Sequence, residues 1–133
     1  MSTPAAPASF SSLGLLAELT DVLAALGYEE PTPVQRETIP LLIAGRDLLG
    51  QAATGTGKTA AFALPMLQRI SEEKRQPRQT SGLVLVPTRE LAMQVAEAVH
   101  KYSKGVRLSV LPVYGGAPRS GRKPAPATAR QRR

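Results

Sequence analysis

The sequence predicts an α/β fold in which helices cover a parallel sheet. Three observations carry that expectation. Residues 82–86 (Gly-Leu-Val-Leu-Val) are an apolar run of strand length, residues 52–57 form a glycine-containing loop between a short apolar stretch and a helix, and helical periodicity fills the intervals. An apolar run without alternation marks a strand covered on both faces. Strands that alternate with helices pair in parallel through right-handed crossovers.

Residues 1–9 are small and Pro-rich and are expected to be a disordered lead. Leu15, Leu16, Leu19, Val22, Leu23 and Leu26 recur at helical spacing, with Gly27 as the stop. A second helix is expected from Thr32 as N-cap and Pro33 as first residue to about Ala44, before Gly45. A short buried strand at 47–51 leads into the 52–57 loop, and a third helix runs from Lys58 to about Ile70. The polar stretch 71–81 reads as an exposed loop. The 82–86 strand ends at Pro87, and Thr88 caps a helix over about 89–103. A third strand is expected at 107–113, closed by Tyr114-Gly115-Gly116.

Composition bounds the function classes. A chain of 133 residues, 42% hydrophobic, has room for one modest domain. It contains no cysteine, which excludes disulfides and thiolate metal sites. No apolar run reaches the ~20 residues a membrane span needs, and the N-terminus lacks the basic start and apolar stretch of a secretory signal. The expectation is a soluble cytoplasmic protein. The net charge of +7 is unevenly placed. Six of the 17 basic residues lie in 117–133, where there is no acid, which leaves 11 basic against 10 acidic residues in 1–116. The charge belongs to the tail and says nothing about what the folded part binds. That tail, dominated by Pro, Ala, Arg and Gly, cannot bury enough surface to fold.

The chemistry starts at the loop Ala52-Ala53-Thr54-Gly55-Thr56-Gly57-Lys58-Thr59. Placed between a buried strand and a helix, it has the context of a phosphate-binding loop. Gly55 and Gly57 let the backbone turn and bring N–H groups against phosphate oxygens, and the helix start adds its positive dipole end. Lys58 can reach the β- and γ-phosphates of a triphosphate, and the Thr59 hydroxyl can ligate Mg²⁺. Ala52 stands where the generic pattern has its first glycine. A chance Gly-rich turn is the competing reading, and the Gly-Lys-Thr run with correct flanks argues against it. Upstream, Gly27-Tyr28-Glu29-Glu30-Pro31-Thr32-Pro33-Val34-Gln35 supplies an aromatic ring, a rigid Pro pair and an amide suited to both a donor and an acceptor on an adenine edge. Thr32 with Gln35 three residues on is also a helix capping box, and Tyr28 is also readable as core. Local residues alone favour the cap.

Taken together these stretches resemble the DEAD-box RNA helicases. Phe10, 17 residues before Gly27, matches that family's isolated upstream aromatic, and 27–35 looks like its Q motif. The 52–59 loop resembles its version of the Walker A loop, Ala in first position included. Pro87-Thr88-Arg89-Glu90-Leu91-Ala92 matches its PTRELA motif, and Tyr114-Gly115-Gly116 its Gly doublet. The resemblance covers about residues 9–116 and implies part of a RecA-like P-loop domain over 10–116. It implies that Gln35 reads adenine with Phe10 and Tyr28 packed near the base, that Ala53, Thr54, Gly55, Thr56, Gly57, Lys58 and Thr59 hold ATP and Mg²⁺, and that Pro87, Thr88, Arg89, Gly115 and Gly116 contact the RNA backbone. A small P-loop kinase and a non-catalytic ATP- or RNA-binding remnant are the rival readings.

The catalytic carboxylates are missing. The aspartates are Asp21 and Asp47, and no Asp-Glu-Ala-Asp run occurs. The expectation is a truncated helicase segment that neither hydrolyses ATP nor unwinds RNA by itself, with three strands of a larger sheet left short of neighbours. The break after the Gly doublet, into residues with GC-rich codons, suggests a frameshifted or truncated tail. A natural basic RNA tether is the competing reading.

Overall fold

The computed structural model describes residues 9–55, 57–74 and 78–115. Among them the chain forms α1 (Ala17–Ala25), α2 (Pro33–Ile43), α3 (Lys58–Glu72) and α4 (Arg89–Tyr102), with 3-10 turns at Ser11–Leu13 and Ser103–Gly105. The expectations for residues 1–8, Thr56, Gly116 and the tail 117–133 lie outside the described residues.

The helix starts follow local chemistry. At α2 the Thr32 hydroxyl accepts from the Gln35 backbone N–H, the Gln35 side chain returns to the Thr32 N–H, and Pro33 takes the first position, where its missing N–H costs nothing. At α4 the Thr88 hydroxyl accepts from the Leu91 N–H at 3.1 Å. The first helix has no such side chain at its N-cap, Leu16. Its entry is fixed from a distance by Gln68 on α3, whose Oε1 accepts from the Leu16 N–H at 2.8 Å while its Nε2 donates to the Gly14 carbonyl at 2.9 Å. Gly14 sits at φ +93°, a left-handed turn that aims its carbonyl at that donor.

The core lies between the helices. Leu19 and Leu23 of α1, Ile39 of α2, and Ala60, Ala63, Leu64 and Leu67 of α3 pack with Val95, Val99 and Tyr102 of α4, and Phe10 and Leu13 close one end. Helices α2 and α3 form the most extensive pair, and α1 rests on the turn after α4. That contact is backbone on backbone. A Cβ at Gly105 would collide with the Glu18 carbonyl oxygen, so only glycine permits the approach.

The expected parallel sheet is not found. The segments 47–51, 82–86 and 107–113 run without strand structure, so the α/β expectation is met only in its helices among the described residues. The physical reason lies in pairing and burial. A parallel strand needs a neighbour about 4.8 Å away and a covered face on each side. Here Val86, Leu108 and Val110 lean on the helical core, while Leu49, Leu83, Leu85 and Val113 are exposed. One layer of helices covers one face, and the three segments do not ladder with one another.

Because Gln68 is 4% exposed and satisfies two backbone groups 52 and 54 residues away, Gln68→Leu removes both of these part-buried hydrogen bonds. We expect it to cost about 1–3 kcal/mol of stability, read as an earlier urea midpoint by circular dichroism. An unchanged midpoint contradicts the clamp.

Candidate functional site

The phosphate-loop pattern lies where the extended segment before α3 turns into the helix. Gly55 and Gly57 adopt φ +80° and +84°. Both are left-handed, a region that costs a residue with a Cβ free energy. Gly57 is the N-cap of α3 and has no side chain to cap it, so the first N–H groups of a 15-residue helix point out of the loop. That is the arrangement an anion uses. The Lys58 side chain folds back over the loop, its Nζ donating to the Ala52 carbonyl at 2.6 Å. Thr59 is half-buried just behind it, and Ala53, Thr54 and Gly55 are exposed.

The segment upstream joins this loop through one side chain. Gln35 is 1% exposed. Its Oε1 accepts from the Thr32 N–H at 2.9 Å and its Nε2 donates to the Gly57 carbonyl at 3.2 Å. The capping box is therefore formed, and the same amide also holds the phosphate loop 22 residues away. The fit is close: a Cβ on Gly57 would run into Gln35 Nε2.

Phe10, Tyr28 and Tyr102 follow as a file of edge-to-face rings. Phe10 and Tyr28 lie 6.3 Å apart at 78°, and Tyr28 and Tyr102 lie 6.1 Å apart at 74°. The Tyr28 and Tyr102 hydroxyls are hydrogen-bonded at 2.9 Å. Burial, followed by the Tyr28 hydroxyl as partner, pushes the Tyr102 phenol above its ordinary range.

The 87–92 motif opens α4. Pro87, Thr88 and Arg89 are exposed, but the Thr88 hydroxyl is occupied as the cap and Arg89 makes a loose 3.9 Å ion pair with Glu90. Such a pair, open to water, contributes little stability, so the Arg89 guanidinium can exchange it for another anion. Gly115 is exposed at the end of the third extended segment. Thus Gln35 meets Gly57 and Lys58 meets Ala52, whereas Arg89 pairs with its neighbour Glu90. Among the described residues no group of three or more His, Asp or Glu stands ready for a metal. A Mg²⁺ ion would find one protein hydroxyl here, that of Thr59, and would need phosphate oxygens for the rest of its shell.

Two residues of this region escape sequence reading. Tyr102 continues the Val95–Val99 spacing and reads as core, and its hydroxyl bond spans 74 residues. Gln68 did leave a signal: a polar side chain beside Leu64 and Leu67 on the apolar stripe of α3.

Residues 32–126 match the model of the DEAD/DEAH box helicase family. The chain is 54% identical over 109 residues to the ATP-dependent RNA helicase DeaD of Klebsiella pneumoniae, covering 81% of this chain and 16% of that protein. It is 48% identical over 108 residues to the DEAD-box ATP-dependent RNA helicase CshA of Bacillus anthracis, covering 81% and 20%. The chain therefore spans a fifth or less of these relatives' length. Among solved structures, the RNA helicase Prp28 from Chaetomium thermophilum bound to ADP superposes with TM-score 0.77 at 41% identity, over 89% of this chain and 29% of that one. Dbp5 of S. cerevisiae bound to RNA and ADP BeF3 superposes with TM-score 0.62 at 39% identity, over 73% and 25%.

Gly57→Ala adds a Cβ at positive φ and against Gln35, and is expected to cost about 1–3 kcal/mol, read by thermal melting. The raised Tyr102 phenol gives a pH prediction. The folded state keeps that proton longer than the unfolded chain, so its stabilising effect is complete below about pH 10 and is lost as pH rises further. Melting temperature should fall above that pH, and Tyr102→Phe should flatten the fall.

Proposed function

The chain belongs to the DEAD/DEAH box helicase family, and on that premise we propose that it is the nucleotide-gripping N-terminal part of the first RecA-like domain of an ATP-dependent RNA helicase. The observation that carries this reading is the Gln35 amide held between the Thr32 N–H and the Gly57 carbonyl. It places the group suited to a base edge one hydrogen bond from the loop suited to phosphates, as a nucleoside triphosphate requires.

In this reading the Lys58 ammonium leaves the Ala52 carbonyl for the β- and γ-phosphates. Backbone N–H groups of Ala53, Thr54, Gly55, Thr56 and Gly57 line the phosphate oxygens, and the Thr59 hydroxyl holds Mg²⁺, which offsets the phosphate charge. Gln35 turns its amide to the adenine edge, with Phe10 and Tyr28 packed near the base. Pro87, Thr88 and Arg89 at the start of α4, with Gly115 and Gly116, take the RNA backbone without reading sequence. Two solved structures of relatives support the ligands: Prp28 is bound to ADP, and Dbp5 to RNA and ADP BeF3. No helix among the described residues is long and apolar enough to cross a membrane, and we place the protein in the cytoplasm with its substrate RNA.

Turnover is assigned to a longer protein. Asp21 lies on α1, Asp47 precedes the loop instead of following a neighbouring strand, and neither is placed to orient an attacking water. The non-catalytic reading thus applies to this chain by itself: it binds ATP and RNA and releases no phosphate.

Calorimetric titration of the purified 133-residue chain tests this. ATP should bind in preference to GTP, Lys58→Ala should weaken ATP by about tenfold to a hundredfold through a lost charge-assisted bond, and Gln35→Ala should narrow the ATP preference. RNA-stimulated phosphate release should stay at the blank level. A folded chain that ignores ATP, or takes all nucleotides alike, removes the assignment.

A further inference from the structure

The Tyr28 ring is 39% exposed, so close packing does not fix its orientation. It lies edge-to-face with Phe10 on one side and with Tyr102 on the other. Beside it opens a cleft of about 360 Å³ walled by Leu26, Gln94, Glu97 and Lys101, which leaves the ring room to swing. Tyr102 also lines that cleft but is far more enclosed. It is 4% exposed in the core, and the turn that follows it is held by Gly105 against the Glu18 carbonyl. The hydroxyl bond at 2.9 Å therefore ties a half-exposed ring to a buried one.

We propose that Tyr102 is a positioning residue for base recognition, its hydroxyl pinning the half-exposed Tyr28 ring at the position where the nucleotide base packs against it. The inference rests on the reading of Tyr28 as a base-side residue. Its physical content is pre-organisation: a ring already held in the bound orientation loses less rotamer freedom when the base arrives. Tyr102 touches no nucleotide and acts through Tyr28. It also sits on the helix whose first turn presents Thr88 and Arg89, so the Tyr28 ring is referenced to the element that carries the proposed RNA contacts.

The experiment compares ATP with inorganic tripolyphosphate, which fills the phosphate loop and has no base. Binding of both to the 133-residue chain is measured by calorimetry for the parent, Tyr102→Phe, Tyr28→Phe and the double variant. Each single variant removes only the hydroxyl bond and should weaken ATP by about threefold to tenfold while leaving tripolyphosphate unchanged. The double variant should be no weaker than either single one. Unchanged ATP affinity in Tyr102→Phe, a parallel loss of tripolyphosphate, or additive losses in the double variant overturns the proposal. Should the buried substitution unfold the chain by circular dichroism, Tyr28→Phe breaks the same bond from the exposed side and decides alone. Tyr28→Ala separates the two levels. If it binds ATP like the parent, Tyr28 is not at the base and the site reading fails with the proposal; if it is weak while Tyr102→Phe is normal, only the role of Tyr102 fails.

Discussion

Gln35 carries one amide and puts both ends of it to use. The oxygen closes the first turn of α2 on the Thr32 N–H, and the nitrogen reaches the Gly57 carbonyl at 3.2 Å, in a space that only glycine leaves open. A buried amide with an unpaired end costs free energy, so the start of α2 and the start of α3 are placed relative to each other by the need to satisfy this group. The glycine loop before α3 inherits its position from that constraint. Its own glycines supply the turn, but they do not say where the turn sits.

The rest of the helical layer repeats the device at longer range. Gln68 binds the entry to α1 onto α3 through two backbone groups, and Gly105 lets the turn after α4 meet α1 backbone to backbone. In each case a polar or absent side chain stands where an apolar one would pack, and it specifies a register that apolar contact leaves open. The aromatic file from Phe10 to Tyr102 runs between these two fixed points. Gln35 and Tyr28 are thus attached to α3 and α4 by directional bonds, over a core of Leu19, Leu23, Ile39 and Leu64 that supplies the burial.

The extended segments show the opposite case. Their apolar residues suit strands with two covered faces, and the chain offers one layer of helices. Leu49, Leu83 and Leu85 are exposed, and Val86, Leu108 and Val110 face the helices. A strand is a relation between chains of backbone and has no local existence, whereas a helix satisfies its own N–H and C=O groups. The helices therefore form in full where the sheet does not.

That difference sets the boundary of what was legible. The four helices, the caps at Thr32 and Thr88, the stop at Gly27 and the left-handed turns at Gly55 and Gly57 follow from residues a few positions apart, and the sequence by itself determined them, together with the motif order that marks the family. Tertiary structure decided everything that joins distant residues. It made Gln35 a cap and a loop tie at once where the residues alone offered a choice, recruited Gln68 and Tyr102, and withheld the sheet that the apolar run at 82–86 implied. Local propensity is written in neighbouring letters; pairing, burial and hydrogen-bond satisfaction across the fold depend on which partners arrive.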